Sequence, residues 1–160
     1  MIELYEYDGQ LYPDYLKRGN AARFIAPVAA QFCVGRGIDV GCGKWPIEGA
    51  IPWDKSYYQE ADALPNETFD YVFSSHCLEH VNDPIAVLEH WRSRLRTGGT
   101  LFLYLPHPQM RYWLPEHCAK HRHAWTPLRM VEIIEALGFE RVLYSERDMA
   151  WSFAVVGFKA

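Results

Sequence analysis

At 160 residues the chain is long enough for one globular core and too short for two comfortable ones. Its 49% hydrophobic and 22% charged residues are ordinary for a soluble domain, and no apolar run approaches the roughly 20 residues that a membrane helix needs. A net charge of −4 without a long basic run disfavours nucleic acid as a partner, because proteins that track its backbone carry a basic face.

The opening segment, residues 1 to 19, is rich in tyrosine (Tyr5, Tyr7, Tyr12, Tyr15) and broken by Gly9 and Pro13. Glu3, Glu6 and Asp8 interrupt any apolar stretch there, so no secretory signal is expected. Asn20 is placed to cap a helix over about 21 to 33, with Phe24, Ile25, Val28 and Phe32 at helical spacing and Pro27 inside it. Ile38 to Val40 reads as a buried strand closed by Gly41, and Tyr71 to Ser74 as another, led by Phe69-Asp70. Asp83-Pro84 begins a helix that runs through Leu95 to a stop at Gly98-Gly99, its basic stretch from Arg92 to Arg96 reading as a solvated face. Thr100 to Leu105 reads as a central strand. Thr126-Pro127 starts a helix that Gly138 ends, and Phe139 to Ser145 and Trp151 to Phe158 read as an antiparallel pair. Strand-helix alternation of this kind predicts an α/β fold with a mostly parallel sheet. Cys33, Cys42, Cys77 and Cys118 lack framework spacing, so reduced thiols in a cytoplasmic protein are expected. Aromatics at 15% either line a pocket or fill a small core.

The chemistry gathers first at Asp39-Val40-Gly41-Cys42-Gly43. A glycine-rich turn after a buried strand lets a ligand approach the backbone, and the carboxyl end of a parallel strand is where open sheets bind ligands. GIDVGCG resembles the first motif of class I S-adenosylmethionine-dependent methyltransferases, and FDYVFSSHCLEHVNDP their fourth-strand segment. RLRTGGTLFLYLP resembles their next helix-turn-strand, and HAWTPLRMVEIIEALGF the helix near their C-terminus. The four follow the family's order from residue 37 to 139.

The resemblance implies a Rossmann-like methyltransferase fold whose sheet ends antiparallel. It implies S-adenosylmethionine as cofactor, with S-adenosylhomocysteine as product. Gly41, Cys42 and Gly43 would pass the cofactor's methionine portion, and Asp39 would bind its amino group. Asp54 would accept the ribose hydroxyls, Asp62 the adenine amino group with Ala63 or Leu64 as an apolar edge, and Ser74 would complete the set. Trp45 stands where the family often has glycine. Only ten residues separate Gly43 from Asp54, and seven separate Asp54 from Asp62. Ordinary crossovers need a dozen or more, whereas ten extended residues reach roughly 33 Å and retrace a sheet without a helix. The first two crossover helices are therefore expected to be reduced or absent. The opening segment, as a lid or contact segment, or a second subunit in a homodimer, would then cover the sheet. This resembles a compact, methyltransferase type 11-like subgroup with an S-H-x-L-E-H motif, several members of which are associated with sugar or glycan modification.

The second constellation is His76-Cys77-Leu78-Glu79-His80. By the resemblance it lies at the end of the fourth strand facing the transferred methyl, where His80 is the leading candidate to accept a proton. It also resembles, imperfectly, the E-x-x-E-H metal motif of small-RNA 2′-O-methyltransferases and ubiquinone-pathway O-methyltransferases, with His76 in place of the first Glu. His76, Glu79 and His80 are thus the candidate ligands should a divalent ion be used, but L-E-H-V is frequent in relatives without a metal, and none is expected. A third cluster, His107, His117, Cys118, His121 and His123, lacks the paired spacing of structural zinc. It reads instead as a substrate-side loop with Arg111, Tyr112 and Trp113 facing the acceptor. The expected reaction is methyl transfer to an oxygen of a small molecule or glycan. A non-catalytic cofactor-binding or interaction module is the alternative. A nicotinamide oxidoreductase is disfavoured, since Lys44-Trp45-Pro46 supplies no third glycine.

Overall fold

A computed structural model describes residues 3–14 and 19–160 of the chain; Tyr15 of the opening segment lies outside them. The segment begins with a hairpin, β1 (Leu4–Tyr7) and β2 (Gln10–Pro13), joined by Asp8-Gly9. Both turn residues have positive φ (49° and 73°), the geometry that matches strand twist in a two-residue turn. Helix α1 (Ala22–Ala29) follows, shorter than the sequence pattern suggests. Asn20 does not cap it: it takes a left-handed φ of 67°, and Ala21 stands at the cap without a side-chain hydrogen bond. Pro27 falls in the last turn, and the helix ends two residues beyond it.

The main sheet holds β3 (Gly37–Val40), β4 (Ile51–Trp53), β5 (Phe69–Ser75), β6 (Leu95–Pro106), β7 (Phe139–Tyr144) and β8 (Ser152–Lys159), in the order β4-β3-β5-β6-β8-β7. The first four run parallel, and β8 pairs antiparallel with both β6 and β7. This is the mostly parallel sheet with antiparallel C-terminal strands that the motif order predicts. Helices α2 (Pro84–Arg94) and α3 (Pro127–Ala136) carry two crossovers. Asp83 Oδ1 accepts the Ala86 amide at 3.0 Å and Thr126 Oγ1 the Arg129 amide at 3.3 Å, so both helices start at the predicted caps.

No helix joins β3 to β4, and only a short 3₁₀ turn, Lys55–Tyr57, lies between β4 and β5. Asp62-Ala63-Leu64, matched above to a third strand, forms a turn and open chain instead, so β4 is the sheet's edge. That turn is held from α2: Trp91 Nε1 donates to the Ala61 carbonyl at 2.7 Å, and the Leu64 amide donates to His90 Nε2 at 2.9 Å. Gly98-Gly99 does not stop α2, which ends at Arg94, because Leu95 already pairs with Phe69 on β5.

The central strands are buried on both faces, as parallel strands with covered sides are. Side chains alternate between two cores. Ile38, Val40, Val72, Leu101 and Leu103 pack with Leu88 and Trp91 of α2 and with Met130 and Ile134 of α3. Tyr71, Phe73, Phe102 and Tyr104 pack with Ile25 and Ala29 of α1 and with Tyr12 of the hairpin. The opening tyrosine-rich segment therefore helps α1 cover the second face. No helix among the described residues is long and apolar enough to cross a membrane.

Candidate active site

Two cavities, of about 310 and 230 Å³, open at the carboxyl ends of β3, β4 and β5 and meet at His76 and His80. The larger lies over Gly41, Trp53 and Asp54; the smaller over Asp39, Gly43, Trp45, Ser75 and Trp113. A third, of about 230 Å³, continues past Lys55, Ala61 and Asp62.

The turn after β3 is held open by its glycines in two different ways. Gly41 has φ +79°, and a Cβ there would overlap the Cys77 side chain, so its missing side chain serves packing. Gly43 has φ +54° and nothing within 4 Å of its Cβ position, so the cavity begins there. Asp39, at the cavity wall, accepts the Ile47 amide on Oδ2 at 2.8 Å, while buried Oδ1 has no hydrogen-bond partner among the described residues. Burial pushes its carboxyl up to about 7, against the Ile47 hydrogen bond and with the help of the nearby Asp54 charge.

Asp54 stands across the turn. Its Oδ2 accepts the Gly43 amide at 3.1 Å and its Oδ1 the Ser56 amide at 2.8 Å. Partial burial alone would raise its carboxyl; these hydrogen bonds and Lys55 outweigh that and hold it below its ordinary value. The Ser56 hydroxyl also bonds this carboxylate, so of its roughly four acceptor positions one remains. Cys42 lines the smaller cavity beside Asp39, with its thiol pushed up to about 11 by burial. Of the remaining cofactor candidates, Asp62 borders the third cavity from an exposed turn, and Ala63 borders none of the three. Ser74 is not brought to the cavities either. It is buried in the sheet, donating to the Val40 carbonyl at 2.9 Å, and its neighbour Ser75 lines the wall.

At the end of β5 the chain turns sharply through His76, whose φ of 50° is left-handed, into a 3₁₀ turn, Leu78–His80. Glu79 is fully buried, and among the described residues no hydrogen bond from another residue reaches either carboxylate oxygen. His76 Nδ1 stands 3.6 Å and His80 Nε2 3.9 Å from Glu79 Oε1. Burial lowers His76 to about 3 and also lowers His80. His121 joins them across 40 residues of sequence, its ring centroid 4.6 Å from that of His80. Glu79, His80 and His121 each present a ligand atom within 4.8 Å of the others. The sequence spacing does not link His121 to this group, because tertiary hydrogen bonds bring it there. His80 Nδ1 bonds the Lys120 carbonyl at 2.8 Å, the Arg122 amide the Glu79 carbonyl at 2.8 Å, and His123 Nε2 the Val81 carbonyl at 3.0 Å.

The rest of the third cluster disperses. His117 is exposed, Cys118 is a free thiol, and His107 packs edge-on to Phe153. Trp113 does line the smaller cavity, stacked edge-on to His76 at 4.6 Å. Arg111 and Tyr112 do not face it: Arg111 pairs with Asp8 at 2.6 Å, and Tyr112 packs on Tyr7.

A sequence model described as a methyltransferase domain matches residues 45–159. The chain belongs to this family. A 44-residue stretch is 46% identical to a ubiquinone biosynthesis O-methyltransferase of Parvibaculum lavamentivorans, spanning 28% of this chain but only 17% of that protein. A SAM-dependent methyltransferase from Archaeoglobus fulgidus superposes with a TM-score of 0.64 at 16% identity, over 91% of this chain and 97% of that one. A Thermotoga maritima SAM-dependent methyltransferase gives 0.63 at 18% identity, over 86% and 90%. These two share the fold of this methyltransferase domain.

Proposed function

We propose that the protein transfers the methyl group of S-adenosylmethionine to a hydroxyl oxygen of a small molecule or glycan. The carrying observation is the unpartnered, buried Oδ1 of Asp39 beside the open space at Gly43, a carboxylate awaiting a cation. Asp39 fits the cofactor's ammonium, Gly43 leaves room for its methionine portion, and the remaining acceptor position of Asp54 suits a ribose hydroxyl. Asp62 and Ala61 lie at the far end, where the adenine would reach. When bound, S-adenosylmethionine supplies a methyl group activated on a sulfonium centre.

The chain's own task is mainly positioning. Trp45 and Trp113 give the smaller cavity broad apolar walls. An acceptor hydroxyl loses a proton as it is methylated, and His80 offers the basic atom for it. Because a carbonyl only accepts, the 2.8 Å contact to Lys120 puts the proton on Nδ1 and leaves Nε2 with a lone pair. The partial match to an O-methyltransferase supports oxygen over nitrogen as the acceptor atom.

Calorimetric titration with S-adenosylmethionine and S-adenosylhomocysteine tests the reading, repeated on Asp39→Ala and Asp54→Ala. Binding by the parent and about 10- to 100-fold weaker binding by Asp39→Ala are expected, the worth of one charge-assisted hydrogen bond. Absence of binding by the parent sinks the proposal. A screen of phenols, sugars and amines for product release then decides the acceptor class, and turnover of amines alone would overturn the oxygen assignment.

A further inference from the structure

We propose that Glu79, His80 and His121 form a binding site for a transition-metal ion of the zinc class, open toward the acceptor cavity.

Three observations carry it. Glu79 is fully buried with neither carboxylate oxygen hydrogen-bonded by another of the described residues, and it lines the smaller cavity. Such a carboxylate is costly to bury unless a cation or proton meets it. Both imidazoles are also oriented by backbone carbonyls. His80 Nδ1 bonds Lys120 and His121 Nδ1 bonds the Trp113 carbonyl at 2.7 Å, so each ring carries its proton on Nδ1. Each Nε2 then presents a lone pair, and a carbonyl on the second nitrogen is the usual support of a metal-binding histidine. Finally, the three ligand atoms lie within 4.8 Å of one another. A tetrahedral zinc site needs donors about 3.3 Å apart, given bonds of roughly 2.0–2.1 Å, a closure that small side-chain rotations supply.

Two imidazoles and one carboxylate select zinc, cobalt or their neighbours over magnesium and calcium, which prefer oxygen. Three protein ligands would leave a position open, and all three residues line the cavity that Trp113 also walls. The placement of a substrate there rests on the methyltransferase reading and refines one atom of it. An acceptor hydroxyl at the open position would be acidified by the ion and lose its proton to solvent; its oxygen would then bond the methyl carbon as the carbon–sulfur bond of S-adenosylmethionine breaks and S-adenosylhomocysteine leaves. His80 Nε2 then acts as a ligand and not as the base.

Tag-free, chelator-treated full chain titrated with Co²⁺ tests the site without turnover. One equivalent binding with visible ligand-field bands of a four-coordinate nitrogen-oxygen site, displaced by Zn²⁺ and not by millimolar Mg²⁺, is expected. His121→Ala and Glu79→Gln should each weaken Co²⁺ binding at least 10-fold, while His107→Ala, an imidazole outside the cluster, should bind as the parent does. Circular dichroism shows whether each variant is folded, and His121→Asn, with a smaller perturbation, replaces any that is not. No Co²⁺ band in the parent, or equal loss in His107→Ala, overturns the proposal. Calorimetry with S-adenosylmethionine on the same samples separates the readings. Cofactor binding without a cobalt site defeats the metal alone, and a cobalt site without cofactor binding defeats the transferase alone.

Discussion

Gly41 lies directly against Cys77, so that any Cβ at position 41 would overlap the thiol side chain. Gly41 and Gly43, two residues apart in one turn, therefore answer to different constraints. Gly41→Ala meets both a positive φ and a steric clash, at a cost of about 2–4 kcal/mol when strain and overpacking combine. Gly43→Ala meets only the backbone cost, about 1–2 kcal/mol, but its methyl enters the cavity. Thermal melts without ligand should rank Gly41→Ala well below Gly43→Ala, whereas calorimetry on folded Gly43→Ala should show weakened S-adenosylmethionine binding. Equal melting temperatures would contradict the packing role of Gly41.

Asp39 predicts a pH dependence. Its folded value of about 7 stands above the ordinary 3.8, so the penalty for ionising it is absent below pH 4 and complete above pH 7. Among its neighbours, Asp54 is held below its ordinary value. The thiols of Cys33, Cys42 and Cys77 and the Tyr71 phenol are pushed up to about 12, 11, 12 and 12, and all four stay neutral in this range. Ligand-free Asp39→Asn should therefore gain stability relative to the parent as pH rises from 5 to 8. Pairing with an ammonium needs the ionised form, so the parent-to-variant affinity ratio for S-adenosylmethionine should rise about 10-fold from pH 6 to 8. A ratio independent of pH would remove Asp39 from the amino-group site.

The sequence carried the parallel sheet and its helix caps because these depend on local signals: buried apolar runs, Asp83-Pro84, and Thr126-Pro127. It also carried the missing crossovers, since ten residues between Gly43 and Asp54 leave no room for a helix. It failed where tertiary contacts override local pattern. Leu95 joins the sheet although the helical spacing continues through it, and Asn20 turns left-handed and does not cap. Ser74, a candidate for the cofactor set, is buried with its hydroxyl on the Val40 carbonyl, and strand alternation puts its neighbour Ser75 on the cavity wall. His121 stands in the sequence as one imidazole among several, because nothing in the H-C-x-x-H-x-H run marks which of them three long-range hydrogen bonds deliver to Glu79.

Trp91 fixes the piece of chain that replaces the absent third strand. Its Nε1 hydrogen bond to Ala61 positions the turn bearing Asp62 beside the third cavity. Trp91→Phe leaves that carbonyl without its partner and removes part of a fully buried side chain. A loss of about 2–4 kcal/mol is expected in denaturant unfolding. Adenosine, tested as a competitor of S-adenosylmethionine, should bind the variant more weakly if this turn helps hold the adenine end. Unchanged adenosine affinity would detach the turn from the cofactor site.

Tyr12 ties the hairpin to the sheet. It is fully buried, its hydroxyl donates to Gln10 Oε1 at 2.8 Å, and its ring packs against Tyr5, Tyr7 and Trp151. Arg111 and Asp8 also link the hairpin to the loop that bears Trp113, but as an ion pair with both side chains about half exposed. Burial of aromatic area outweighs an exposed charge pair by several-fold. Tyr12→Ala should cost about 3–5 kcal/mol, and Arg111→Ala at most about 1 kcal/mol. If the hairpin also steadies the loop, limited proteolysis between residues 107 and 126 should accelerate in Tyr12→Ala and not in Arg111→Ala. The reverse order would make the ion pair, and not the aromatic cluster, the clasp.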